Sequence, residues 1–431
     1  MRPVAALSAL RDRTFGSLRR HRNYRLYFAG NGISFIGTWM QQIAAYWLVL
    51  ELTRSPVAVG ALALVQTLPI TALALVGGTI ADRINLRRLV IACESVLAVV
   101  AALLAFLALT GLVEVWQIYV LGLVQGVAIA LDAPARHTLV FQIVGRDDLP
   151  NAVALSSALG TSARIVGPAL GGLVVAAAGA GVAFAVNAVS YVVVILALLA
   201  MRLPRAAPFA TVQPGVLVGV TEAIAFIWSS RRVAITFLSV LFVSTFSFNF
   251  DVLLPLVARL TLDQGAATFG LIASVFGMGA LCGALILATI GRARLLLVLV
   301  GAGGFGAFQL LLAPQDTLPA VCAVLFVIGI FYVIWGSSAL ATLQLAAPSH
   351  MRGRAASLYF FAFMGGAPLG GLLAGSLTAH GGTRLAFAVG GTIAVTVALV
   401  GAVAVFMGRR STTPIATPNR PLDRPAERSA T

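Results

Sequence analysis

Residues 57–80, VAVGALALVQTLPITALALVGGTI, run for 24 positions without a charged side chain, and ADRINLRR (81–88) then brings one acid and three bases together. As a helix the apolar stretch is about 36 Å long at roughly 1.5 Å per residue, enough to cross a hydrocarbon layer of about 30 Å. The charges that follow are placed where such a crossing would leave the lipid. Neighbouring stretches repeat the pattern, because 60% of the 431 residues are hydrophobic and only 10% are charged. A soluble fold has no means of hiding that much apolar surface, so the chain reads as a membrane protein.

About twelve apolar runs are long enough to span: 26–50, 57–80, 89–110, 116–134, 152–178, 182–201, 233–257, 266–290, 295–312, 318–343, 355–379 and 384–407. They are continuous and rich in Leu, Ala, Val and Gly, where a β-barrel would alternate, so the expected class is all-α. No lysine occurs, and all 29 basic residues are arginines. With the N-terminus placed inside, 25 arginines fall on the cytoplasmic side, Arg54, Arg259 and Arg384 fall outside, and Arg164 lies within a span. That bias puts both termini in the cytoplasm, as an even number of spans requires, and reads the +15 charge as a topology and anionic-lipid signal with no nucleic-acid partner. The stretch before residue 26 carries no cleavable leader pattern and is expected to be a cytoplasmic tail.

Residues 202–232 form the one long internal connection, a Pro-containing linker followed by GVLVGVTEAIAFIWSSRR (215–232), whose periodicity predicts a short interfacial helix. The expected domains are therefore 1–201, a six-helix half with its N-tail; 202–232, the linker; 233–407, a second six-helix half; and 408–431, a tail expected to be disordered. The halves echo each other. SPVAVGALALVQ (55–66) parallels GAATFGLIASVF (265–276), and GPALGG (167–172) parallels GAPLGG (366–371). Such internal repetition is what transporters built by duplication show, with the pathway between the halves.

The loop GGTIADRINLRR (77–88) resembles the signature of the major facilitator superfamily between its second and third spans, with Gly78, Asp82, Arg83 and Arg87 in place and Asn85 and Leu86 departing from it. GPALGG resembles the superfamily's fifth-span exporter motif through Gly167, Pro168, Gly171 and Gly172. DAPARHTLVFQIV, DDLPNAVALSSA, ARIVGPALGG and FAVNAVSYV are similar to the branch that holds the enterobactin exporter and macrolide efflux proteins. The resemblance implies a secondary exporter of a small organic molecule working by alternating access and proton antiport, in a bacterial cytoplasmic membrane. The partners it implies are the solute, protons and the bilayer; the expected state is a monomer without cofactor. It also implies that Asp82 latches the second span to the N-terminus of the eleventh, whose partial positive charge suits a carboxylate, while Arg83 and Arg87 pair with neighbouring acids. A plain polar turn with lipid-facing arginines is the competing reading.

For Arg164 two readings stand side by side: an anchor or gate facing an anionic group, or a fixed partner of Glu94, Asp251 or helix-end carbonyls. Glu94 and Asp132 sit toward the inner ends of their spans and Asp251 near the outer interface, positions that suit snorkelling or paired residues better than proton carriers. Asn31, Gln41, Gln42, Gln66, Gln125, Asn187, Asn249, Trp335 and Gln344 are polar or aromatic side chains within spans that could line a pathway or bond neighbouring helices. The fifth-span glycines and Pro168 serve either close packing and bending or the exporter function.

Other chemistries find little support. GAGGFG (301–306) lies inside a span with no strand before it, so it is not a dinucleotide loop. No P-loop can be completed without lysine. His21, His137, His350 and His380 fall singly in tails and loops, and Cys93, Cys282 and Cys322 are unpaired in spacing, so neither a metal site, a disulfide nor a catalytic group is expected. An uptake or lipid-moving transporter of the same fold is the alternative function, and a polytopic membrane enzyme is the alternative of another class, disfavoured because no acid–histidine cluster exists to serve it.

Overall fold

With no water to satisfy backbone N–H and C=O groups inside lipid, an apolar stretch must satisfy them within itself, and it becomes a helix. The computed structural model describes residues 15–81, 85–201, 225–291, 294–348 and 351–410, with backbone alone at 74–81, 352, 354 and 408–410. The helices are α1 (Gly16–Arg20), α2 (Arg22–Thr53), α3 (Pro56–Ala81), α4 (Leu86–Leu109), α5 (Val115–Ala178), α6 (Ala180–Ala200), α7 (Arg231–Phe246), α8 (Phe250–Leu256), α9 (Ala266–Ile290), α10 (Leu295–Leu312), α11 (Leu318–Ala346), α12 (Arg352–Gly365) and α13 (Ala367–Arg410); a π-helical turn, Val257–Thr261, extends α8. Ten helical stretches are long and apolar enough to cross a membrane. Two of these, Val115–Ala178 and Ala355–Met407, each fold back once, at Gly145 and at Gly381–Gly382, so the described residues make twelve crossings. Gly145 has φ 73° and Gly382 φ 69°, left-handed values that a residue with a Cβ adopts only under strain.

Two boundaries differ from the sequence expectation. The fourth span does not end at 134 but runs on as helix to the break at Gly145, which carries Arg136 into the helical bundle and away from the loop expected there. The seventh is interrupted at Ser247–Asn249 and continues to Thr261. Asp251 therefore lies ten residues, about 15 Å, short of the end of its crossing and not at the outer interface.

Within the first half, α2 packs on α5 and α6, α4 on α5 and α6, and α3 on α5; within the second, α11 packs on α9 and α10, and α13 on α7 and α10. The halves meet along two seams, α5 against α9 and α3 against α13. Both depend on glycine. A Cβ at Gly172 would sit 2.6 Å from the Ala266 carbonyl oxygen and 2.8 Å from the Gly270 Cα, and one at Gly60 would sit 2.6 Å from the Gly371 carbonyl oxygen. These are backbone atoms and cannot step aside, so the two related motifs GPALGG and GAPLGG perform the same task, closing one helix of each half onto the other.

Of the 202–232 linker, residues 202–224 lie outside the described residues, as do 1–14 and 411–431. Positions 225–228 are helical, with Phe226 and Ile227 buried and Trp228 exposed. The Ser230 side chain then caps α7 by accepting a hydrogen bond from the Val233 N–H.

Candidate transport site

Two partly buried arginines organise the interior. The first is Arg136, nine residues before the Gly145 break and hence about 13 Å into its span. Its guanidinium meets Glu94 from α4, Asp132 one turn earlier on its own helix, and the Asn31 side-chain oxygen from α2. Glu94 is fully buried and Asp132 nearly so. The i,i+4 spacing of DAPAR places Asp132 beneath Arg136 on one helix face, and the pairing then draws in an acid from the adjacent span. Two carboxylates face one guanidinium, and Glu94 Oε2 and Asp132 Oδ1 accept no hydrogen bond among the described residues. Tyr27 borders the cluster, and a cavity of about 360 Å³ opens beside it, lined among others by Ser34, Thr38, Asp132, Arg136, His137 and Tyr191.

The second is Arg164 of α5, fourteen residues from the Ala178 end of its span. Its guanidinium carbon lies 5.3 Å from the Trp39 ring centre, 5.4 Å from Tyr332 and 5.8 Å from Phe248, and Nη1 donates a long 3.4 Å hydrogen bond to the Tyr332 hydroxyl. Trp39 belongs to the first half and Phe248 and Tyr332 to the second, so this cation bridges the seam. Phe248 stacks on Tyr332 with centroids 4.5 Å apart, and Phe250, Phe276, Phe305, Trp335 and Phe363 extend the aromatic cluster behind them. Arg164, Asp251 and Gln42 line one small central cavity of about 30 Å³. Arg164 and Asp251 share this void without forming an ion pair.

The remaining sequence candidates separate cleanly. Gln41, Gln125 and Asn187 satisfy one another: Gln41 Nε2 donates to Gln125 Oε1 at 2.9 Å, and Asn187 Nδ2 to Gln41 Oε1 at 2.7 Å. Trp335 is fully buried and donates to Ser239, and Asn249 donates to the Thr245 carbonyl, so both support the second half internally. Gln66 is half-buried against Gly122 and Gly126, and Gln344 is half-buried in α11. Glu94 is the partner of Arg136 and not of Arg164. Gly167 and Pro168 are buried where α5 meets α2 and α9.

In the signature loop, Asp82 and Arg83 lie outside the described residues, and Gly78 is described by its backbone alone. Among the described residues Arg87 pairs with no acid; its Nε and Nη2 donate to the Leu198 and Leu199 carbonyls at 2.9 Å, capping the C-terminus of α6 with a cation. Asn85, a departure from the signature, caps α4 by accepting from the Arg88 N–H. His137 is helical and borders the cavity, not a loop, and no group of three metal-binding side chains occurs among the described residues.

A twelve-crossing all-helical bundle of two halves, closed by paired glycine seams over a central cation, defines a membrane transporter of the major facilitator fold. Residues 13–422 match the family of transmembrane secretion effectors within that superfamily, and the chain belongs to it. It is 28% identical over 394 residues to the multidrug efflux pump Tap of Mycolicibacterium fortuitum, covering 88% of this chain and 93% of that one. It is also 28% identical to the enterobactin exporter EntS of Citrobacter koseri, over 84% of this chain and 86% of that one. Among solved structures it superposes on the nucleoside transporter NupG (D323A mutant) with a TM-score of 0.70 at 14% identity, covering 89% of this chain and 100% of that one. A POT family transporter in complex with 5-aminolevulinic acid gives 0.73 at 12% identity, over 91% and 97% of the two chains.

Proposed function

We propose that this transporter exports a small organic solute from a bacterial cytoplasm in exchange for protons, by alternating access between its two halves. The observation that carries the reading is the Glu94–Asp132–Arg136 cluster beside a cavity of about 360 Å³. Two acids against one base leave a net negative charge in a buried place, where an uncompensated carboxylate costs several kcal/mol. Uptake of one proton neutralises the cluster, and its release restores the charge, so the electrostatic state of the cavity changes with each cycle. Tyr27, Cys93, His137 and Tyr191 are the other titratable side chains turned toward it, and none brings a second fixed cation.

Arg164 is the solute-side counterpart. Aromatic faces hold its charge without neutralising it, which leaves it able to attract an anionic or electron-rich part of a solute at the seam. The central void has no room for such a solute in the conformation described, so binding requires the seams to part. The efflux pump and the enterobactin exporter among its relatives support outward movement, and the arginine bias supports cytoplasmic termini and an Asp82 gate on that face.

The test is transport by purified protein in vesicles with an imposed pH gradient, offering enterobactin, staphyloferrin A and a panel of aromatic drugs. Solute moving toward the acidic side, with protons moving the other way, is the expected result. Movement indifferent to pH but driven by another ion gradient would remove the coupling assignment, and movement of solute only with the proton flow would reverse the direction.

A further inference from the structure

On the arginine-rich face of the second half, three helix ends enclose a groove of about 860 Å³. Its mouth is formed by Arg231, Arg232 and Arg294, and its walls by Ile235, Leu296, Leu299 and Phe406 of α7, α10 and α13. Gly401 sits at its floor, where a Cβ would come within 2.6 Å of Leu299 and 3.1 Å of Ile235, so the three helices converge there and splay apart toward the face. Leu296 and Phe406 are exposed and apolar, hence lipid-facing. All three arginines are exposed, and none has an acidic partner among the described residues.

Among the described residues this arrangement gathers cations with no opposing charge. Arg231 and Arg232 open α7 and Arg294 is the residue that precedes α10, so three cations sit on the positive ends of two helices. Arginines at those positions repel both one another and the helix ends, whereas Arg20, which lines a pocket near the N-terminal end, is paired with Asp148. An anion with an apolar body satisfies both the charged mouth and the greasy walls.

We propose that this groove binds an anionic phospholipid, its phosphate held by Arg231, Arg232 and Arg294 and its acyl chains lying along Leu296, Leu299 and Phe406. The occupant is a lipid and not a free anion, because the walls below the arginines are wholly apolar and continuous with the hydrocarbon. The lipid relieves the repulsion at the N-termini of α7 and α10 and ties together three helices of the second half. Basic pockets between helices at the cytoplasmic level are suited to phosphate-rich headgroups, at roughly fivefold in affinity per arginine.

The experiment is native mass spectrometry of the intact purified protein in mixed micelles holding equal cardiolipin, phosphatidylglycerol and phosphatidylcholine, with thermal melting in each lipid alone. Retention of an anionic lipid over phosphatidylcholine by tenfold or more, and a melting temperature several degrees higher in that lipid, are expected. The combined Arg231→Gln, Arg232→Gln and Arg294→Gln variant should lose retention by roughly a hundredfold while Arg88→Gln keeps it. Should the triple variant not fold, Arg294→Gln alone should lose about fivefold. Equal retention of phosphatidylcholine by the unaltered protein, unchanged retention in the arginine variants, or stabilisation by inorganic phosphate alone to the same extent would each overturn the proposal. None of these outcomes depends on transport.

Discussion

Arg136 and Arg164 carry the same charge within the helical bundle, yet the protein accommodates them in opposite ways. Arg136 is enclosed by two carboxylates and an amide oxygen within the first half. Arg164 is enclosed by three aromatic rings contributed by both halves and has no carboxylate within ion-pair distance among the described residues. An arginine outnumbered by acids belongs to a cluster whose charge a proton can cancel. One surrounded by rings keeps its charge available. In the proposed cycle the difference separates the exchange of protons, within the first half, from the attraction of solute, at the seam between the halves.

The comparison predicts unequal costs. Arg136→Gln should be the most damaging change, because it leaves two buried carboxylates without a cation; a loss of about 3–5 kcal/mol, read as a large drop in melting temperature or no folded protein, is expected. If Glu94→Gln and Asp132→Asn are added and folding returns, the damage is confirmed as electrostatic. Arg164→Gln should cost only about 1–2 kcal/mol of stability, the scale of desolvated cation–π contacts, while reducing transport far more. Arg164→Lys should recover part of the stability and less of the transport, since an ammonium lacks the planar face that stacks on Trp39 and Tyr332. Equal melting losses for Arg136→Gln and Arg164→Gln would erase the distinction.

The seam itself can be probed with Gly172→Val, which would drive a branched side chain into the Ala266 carbonyl and the Gly270 backbone. The variant should remain folded within each half yet fail to close, seen as transport loss with labels on α5 and α9 held further apart. A smaller effect is expected at the turn between the fourth and fifth spans, outside the lipid. There Asp148 accepts from His21 at 2.7 Å and from Arg20 at 2.8 Å, docking α1. The His21 hydrogen bond, with Arg20 beside it, holds the Asp148 carboxyl below its ordinary value. A depressed carboxylate contributes its stability above its unfolded pKa and loses it as pH falls through the folded one, so Asp148→Asn should flatten the acid limb of α1 docking by lowering its neutral-pH stability slightly, while docking at low pH stays as it is in the unaltered protein.

Much of this was legible beforehand. Apolar run length gives twelve crossings, the repeated GPALGG and GAPLGG mark both seams, and Arg164 stands out as an unshielded charge in a span. Arg136 was not legible as buried, because Ala133, Pro134 and Ala135 between two charges read as a loop, and only the pairing with Glu94 from another span repays taking it into the bundle. Asp251 was misplaced for a similar reason: the break at Ser247–Asn249 lengthens its crossing, and no glycine or proline at the break announces it. For Gln41, Gln125 and Asn187 residue type leaves both a pathway lining and a bond between helices open, and their mutual hydrogen bonds put them with the second.

The central claim, that one carboxyl beside Arg136 carries the coupling proton while Arg164 serves the solute, is tested most directly by measuring two activities of Asp132→Asn in vesicles. Gradient-driven solute movement should vanish, and solute-for-solute exchange at matched pH should persist near the unaltered rate. Solute still driven by a pH gradient in that variant, with Glu94→Gln behaving the same way, would contradict the account.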